Sequence, residues 1–312
     1  MLDPIRIVTQ PKRYQPVGHC IYCGTDTTAL SEEHVLPFGL AGDSLVLPRA
    51  SCPTCQKNTG KVETVCLRHL WWPFRTKIGA PSRNQPPENF SLKRMRVDGY
   101  DRVNDEITAY TQLSTDELRP EEFPLFYQTF VFPPPGIFVG RLSSKAIEYR
   151  SWCKIDDSEF RKFAGRDKEG FRLGPGEPEA FCRMLAKIAH AYTEAELGGS
   201  LFTPLLTKYI RGGPLDRLQW IGCSEEIPAP VTALHEIRIT QETFQRTNYI
   251  VIYIRLFACI GTPVHRVVVG KLLSSLDHIP ASANSLYTVD IEGTIPFQDT
   301  VTRGGILRGG WH

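Results

Sequence analysis

The stretch CIYCGTDTTALSEEHVLPFGLAGDSLVLPRASCPTC, residues 20–55, decides how the chain is read. Two Cys-x-x-Cys pairs, Cys20/Cys23 and Cys52/Cys55, bracket a Glu-Glu-His triplet at Glu32, Glu33 and His34. Four thiolates from two such turns complete a tetrahedral shell for Zn2+, and a closed shell makes the ion structural. Gly24 follows the first pair, where a tight turn aiming backbone N–H groups at the sulfurs favours glycine. The 28 residues between the pairs exceed the roughly 15–20 of common zinc ribbons. The spacing therefore predicts a further element held between the knuckles.

Leu30–Leu36 and Ser44–Leu47 read as two short strands, and Gly39 and Gly42 between them make the pair a looped hairpin. A helix is expected from the second knuckle to about Leu70, because Val62, Val65, Cys66 and His69 or Leu70 recur at helical spacing. Pro73 stops or kinks it. Trp71, Trp72 and Phe74 follow at once; they could stack on nucleic-acid bases or pack that helix onto the second domain, and packing is the expectation. Upstream, Ile5, Ile7 and Val17 suggest a short strand.

The wider composition is that of a soluble globular chain: 312 residues, 41% hydrophobic, 22% charged and a net charge of +2. A net charge so near zero points to no partner by itself. The first residues contain no apolar signal core, and Arg255 interrupts the longest apolar stretch, Tyr249–Ile260, so no membrane span is expected. A reducing, cytoplasmic setting follows, in which paired cysteines hold metal more often than they form disulfides. There are nine cysteines. The remaining five, Cys66, Cys153, Cys182, Cys223 and Cys259, read as small buried hydrophobes.

Residues 75–96 are basic and broken by Pro81, Pro86 and Pro87, as in a linker or wrapped arm. A domain boundary is placed near residue 90. Residues 91–312 then read as a larger α+β domain of unrecognised type that selects substrate or regulates. In it, residues 97–160 suggest short strands broken at Pro133-Pro134-Pro135. Glu177–Leu197 is the clearest helix, with Phe181, Leu185, Ile188, Ala189 and Tyr192 on one face, Pro178 in its first turn and Gly198-Gly199 beyond its end. A second helix is expected over Phe202–Ile210. Asn248–Ala258 and His265–Gly270 read as a β-hairpin turned at Gly261-Thr262-Pro263. His190, His235, His265 and His278 are isolated and read as surface or satisfied core residues.

The order of these features carries a resemblance. C-x-x-C, then Glu33-His34-x-x-Pro37, then a glycine-containing loop, then C-x-x-C entering a helix resembles the HNH endonucleases of the ββα-metal (His-Me finger) group. The resemblance covers roughly residues 18–83, including the tail LRHLWWPFRTKIGAPSR. It implies a zinc-stabilised ββα-metal finger over residues 1–90. It further implies hydrolysis of DNA phosphodiester bonds by a one-metal mechanism. His34 would be the general base and Glu33 a ligand of Mg2+ or another divalent cation. The family's second ligand is a His or Asn opening the helix. Gln56 stands there instead, and Asn58 and Glu63 are the other candidates. Asp43 or Ser44 would brace the loop in place of the family's central Asn.

Chemically, such hydrolysis needs a base titrating near neutrality and a cation to neutralise the crowded phosphate. Adjacent residues on an ideal strand face opposite ways, so a joint role for Glu33 and His34 requires a departure from that geometry. Glu32 reads as a solvated acid. Arg68, Arg75, Lys77 and Arg83 are candidates for DNA phosphates. A non-catalytic zinc-finger module binding nucleic acid or a protein partner is the alternative.

Overall fold

The computed structural model describes residues 5–83, 88–101, 106–119, 122–123, 125–140, 149–156, 169–172, 177–273, 278–280, 286–293, 295 and 300–307. The N-terminal region runs β1 (Arg6–Val8), β2 (Lys12–Arg13), β3 (Ser31–His34), α1 (Phe38–Ala41), β4 (Leu45–Ser51), α2 (Pro53–Val65), a π-helical turn (Cys66–Leu70) and α3 (Trp72–Lys77). The looped hairpin is present. β3 pairs antiparallel with β4, Glu33 opposite Leu47 and His34 opposite Val46, with an irregularity between Ser31 and Glu33. β2 adds to β4 in parallel.

The helix predicted to reach Leu70 does so, but its last turn widens to π geometry. The chain breaks at Trp71, whose φ of −121° and ψ of 2° are non-helical, and Pro73 falls in the first turn of α3. A first-turn proline loses no intrahelical bond there, which is why the kink becomes a fresh start.

The arm beyond α3 is less of a linker than its composition suggests. β5 (Phe90–Asp101) and β6 (Glu106–Leu118) form a long antiparallel pair of 12 and 13 residues, in place of the expected short strands. Pro86 and Pro87 lie outside the described residues. β7 (Phe126–Val131) and β8 (Tyr149–Asp156) pair antiparallel, and β9 (Glu169–Arg172) joins β5.

The helix α4 (Pro178–Leu197) matches its predicted extent, yet it is buried on nearly every side. It packs against α2 and against the face of an antiparallel seven-stranded sheet. That sheet uses β1 together with β10 (Phe202–Pro204), β11 (Ile221–Cys223), β12 (Ala233–Phe244), β13 (Thr247–Leu256), β14 (His265–Leu272) and β15 (Leu286–Glu292), in the order β1-β15-β12-β13-β14-β10 with β11 also on β14. The predicted hairpin is β13–β14. A last strand, β16 (Thr300–Leu307), pairs with β8.

The second helix expected at Phe202–Ile210 is corrected. Its first part is the strand β10, Phe202 opposite Leu272, and only Thr207–Ile210 is helical (α5). Pro204 explains the difference, since an edge strand tolerates a missing N–H that a helix interior does not. One further turn, α6 (Arg217–Trp220), leads into β11.

The elements segregate along the chain as expected of an α+β protein. One hydrophobic cluster nevertheless crosses residue 90. It contains Leu36, Leu40, Trp71 and Phe74 from the N-terminal region and Tyr127, Phe181, Ile237 and Phe257 from beyond it. Trp71 is fully buried, stacks on Tyr127, meets Phe181 and Phe257 edge-on, and donates its indole N–H to Gln128 O at 2.9 Å. The aromatic run therefore packs core, as expected, with Trp72 stacked on Phe90 in a smaller cluster.

The isolated histidines beyond residue 90 behave likewise. His190, His235 and His265 are buried on the carbonyls of Ile21, Leu40 and Phe130, while His278 is exposed. Cys66, Cys182 and Cys223 are buried and Cys259 half-buried. The side chain of Cys153 is outside the described residues. No described helix is long and apolar enough to cross a membrane.

Candidate metal centre and adjoining cleft

The sulfurs of Cys20, Cys23, Cys52 and Cys55 all lie within 4.8 Å of one another. A tetrahedral zinc with Zn–S bonds of about 2.3 Å sets its sulfurs about 3.8 Å apart. Cys23 Sγ and Cys52 Sγ are 3.7 Å apart, so this set could hold a zinc ion. Local structure makes the cluster. Gly24, at φ 75°, closes the first turn by donating to Cys20 O at 2.8 Å. Cys52 is the residue before α2 and Cys55 lies in its first turn, with Pro53 between them starting the helix. Ile21 N–H donates to Ala50 O, binding the first knuckle to β4.

Beside the cluster, β3, the α1 loop and one face of α2 enclose a cleft of about 130 Å³. Glu33, His34, Gln56 and Glu63 all line it, and Arg83 and Phe38 stand at it too. Four of the residues singled out from sequence for the cleft's chemistry are thus brought together. Asn58 is not among its walls. Its side-chain amide donates to Arg211 O at 3.4 Å. Glu32 is exposed and pairs with Arg13, consistent with a solvated acid.

His34 Nε2 lies 2.8 Å from Asp43 Oδ1, with Phe38 edge-on to the ring. An ionised carboxylate can only accept, so Nε2 carries the proton and the neutral ring keeps its lone pair on Nδ1. Asp43, one of the two residues expected to brace the loop, thus contacts the histidine and fixes its tautomer. Ser44, the other candidate for that place, is buried.

Glu33 lines the same cleft but is engaged from inside the protein. Its carboxylate is buried and Oε1 is 2.7 Å from Lys187 Nζ. The same ammonium is 3.0 Å from Glu63 Oε1 and also donates to the carbonyl of His34. Lys187 comes from the middle of α4, and its side chain is 2% exposed. Burial alone would lower its pKa, but Glu33 and Glu63 outweigh burial and keep it charged. Burial, followed by the charges of Glu33 and Glu63, pushes the neighbouring Tyr22 phenol well up.

A divalent cation ligated by Glu33 does not fit this arrangement. The carboxylate already has its counter-charge in contact, and an added cation would be repelled by the ammonium. The expectation of Mg2+ on Glu33 therefore finds no support in the geometry. Sequence reasoning also missed Lys187. The available signal was a lysine and a histidine in the apolar run MLAKIAHAY of α4. A helix apolar all round is buried, and a buried lysine needs partners.

The four cations proposed for phosphates divide. Arg75 is half-buried and donates to three carbonyls, Gly39 O at 2.6 Å, Leu67 O at 3.1 Å and Pro81 O at 2.8 Å. It braces the loop, and the missing Cβ of Gly39 leaves room for it, since a Cβ there would meet the guanidinium at 2.6 Å. Burial lowers its pKa to about 10. Arg68 is exposed on the π turn and Lys77 half-buried at the end of α3. Arg83 alone of the four borders the cleft, its guanidinium 4.7 Å from the Phe38 ring.

Fold and site together define an α+β protein with a four-cysteine cluster that could hold a metal ion, beside a histidine-bearing acidic cleft. No family model, curated protein or solved structure matches the chain.

Proposed function

We propose that the chain is an HNH-type endonuclease that hydrolyses DNA phosphodiester bonds, with His34 as general base and a structural zinc on the four cysteines. The observation that carries this reading is the His34–Asp43 pair, 2.8 Å apart, presented at a cleft between a strand pair and the helix that leaves the cysteine cluster. His34 takes a proton from water as the water oxygen bonds to phosphorus. The bond from phosphorus to the leaving 3′ oxygen breaks, and solvent protonates that oxygen. Arg83 at the cleft is suited to a phosphate, because a guanidinium matches it with two parallel N–H bonds. No step is assigned to a divalent cation, since Glu33 is committed to Lys187.

That commitment also favours a second reading, a non-catalytic zinc-finger module for nucleic acid or a protein partner. Supercoiled plasmid distinguishes the two. An endonuclease converts it to nicked and linear forms. A binding module retards it in electrophoresis and leaves it supercoiled.

A further inference from the structure

Lys187 poses a specific problem. It projects from a helix buried on both sides, reaches past α2, and ends between carboxylates from two other elements, Glu33 on β3 and Glu63 on α2. An ammonium has three donors. They are taken by Glu33 at 2.7 Å, Glu63 at 3.0 Å and the His34 carbonyl, with Val35 O at 3.4 Å. These are ammonium distances. Mg2+ ligated directly would need oxygens at about 2.1 Å in a near-octahedral shell.

The group has two carboxylates and one ammonium, so half of the negative charge that would attract a divalent ion is already neutralised from inside. Its third bond holds the backbone of the residue that bears the imidazole. The side chain is too buried to touch a substrate, which leaves it to act through its neighbours.

We propose that Lys187 is the resident cation of this site, taking the place of a divalent ion between Glu33 and Glu63 and positioning the strand that carries His34. This rests on reading the cleft as a phosphodiester-cleaving site. Lys187 is then a positioning residue contributed by the C-terminal part of the chain. Phosphate charge falls to Arg83 at the cleft. Hydrolysis does not require a divalent ion on Glu33.

The test is Mn2+ binding to the zinc-loaded full chain, followed by the electron paramagnetic resonance of free Mn2+. Wild type and Glu33→Gln should bind Mn2+ alike, within about twofold. Lys187→Ala should gain a site at least tenfold tighter than any in wild type, and adding Glu33→Gln should abolish it. A lysine that did not occupy the place between the two carboxylates would not produce that gain. If Lys187→Ala fails to fold, the wild-type and Glu33→Gln pair still decides. A tenfold loss of Mn2+ affinity on Glu33→Gln alone would overturn the proposal, as would a folded Lys187→Ala that gains no site. Plasmid cleavage should change less than threefold when Mg2+ is omitted, and complete dependence on Mg2+ would also overturn it. Absence of cleavage under every condition would instead sink the nuclease reading, since Mn2+ binding is read without turnover.

Discussion

Lys187 Nζ lies 2.7 Å from Glu33 Oε1, joining residues 154 positions apart across the boundary that composition suggested near residue 90. Removing one member of a buried ion pair leaves the other uncompensated, which costs about 3–5 kcal/mol. Lys187→Met should therefore destabilise the chain by about that amount in urea denaturation. Adding Glu33→Gln to Lys187→Met should recover part of the loss, because it removes one stranded charge. Equal stability of the single and double variants would show that the pair is not coupled as described.

The cysteine cluster should behave as one folding unit with its metal, because zinc-binding energy is folding energy in such knuckles. Cys52→Ser should lower bound zinc from about one ion per chain to a small fraction. It should also lower the melting temperature by at least about 10 °C. Cys52 stands at the head of α2, so the loss should spread to the cleft that α2 walls. Unchanged zinc content and melting would contradict this.

Arg75 and Arg83 should separate cleanly. Arg75→Met strands three backbone carbonyls of the loop and should cost about 2 kcal/mol. Arg83→Ala should leave stability within about 0.5 kcal/mol. It should weaken DNA binding and reduce the salt dependence by about one phosphate contact. A DNA defect confined to Arg75→Met at full stability would reverse the two assignments.

Acid should unfold the protein through its buried histidines. Burial, opposed by a bond to Phe130 O, pushes His265 down to about 4. Burial does the same to His235, to about 3, against its bond to Leu40 O. With an unfolded value near 6.5, the unfolded chain takes up these protons first. The stability each provides is present above pH 6.5 and is lost as pH falls toward about 4 for His265 and about 3 for His235. That amounts to roughly 3 kcal/mol for His265. His265→Gln should make acid unfolding, followed by circular dichroism, less steep over this window. An unchanged slope would exclude His265 as a contributor.

How much could be read in advance depended on distance along the chain. Cys20, Cys23, Cys52 and Cys55 were legible because ligand spacing is local, and the β3–β4–α2 order because strand, loop and helix signals sit side by side. α4 was legible from periodicity and caps. Lys187 was not, because its partners are about 120 and 150 residues away and its own helix signals only that something must satisfy it. Arg75 read as a candidate for DNA phosphates because nothing local shows that Gly39, Leu67 and Pro81 surround it with carbonyls. Phe202–Pro204 was misread because its pairing with β14 is a tertiary choice that overrides local helical pattern.

The proposed function turns on His34 acting as the general base. Cleavage of supercoiled plasmid by wild type, His34→Ala and Asp43→Asn tests it most directly, with zinc content and melting confirmed equal. His34→Ala should lose at least about 100-fold in rate. Asp43→Asn should lose less, because the ring remains while its tautomer is no longer fixed by a carboxylate. Cleavage by His34→Ala at the wild-type rate would rule out His34 as the base.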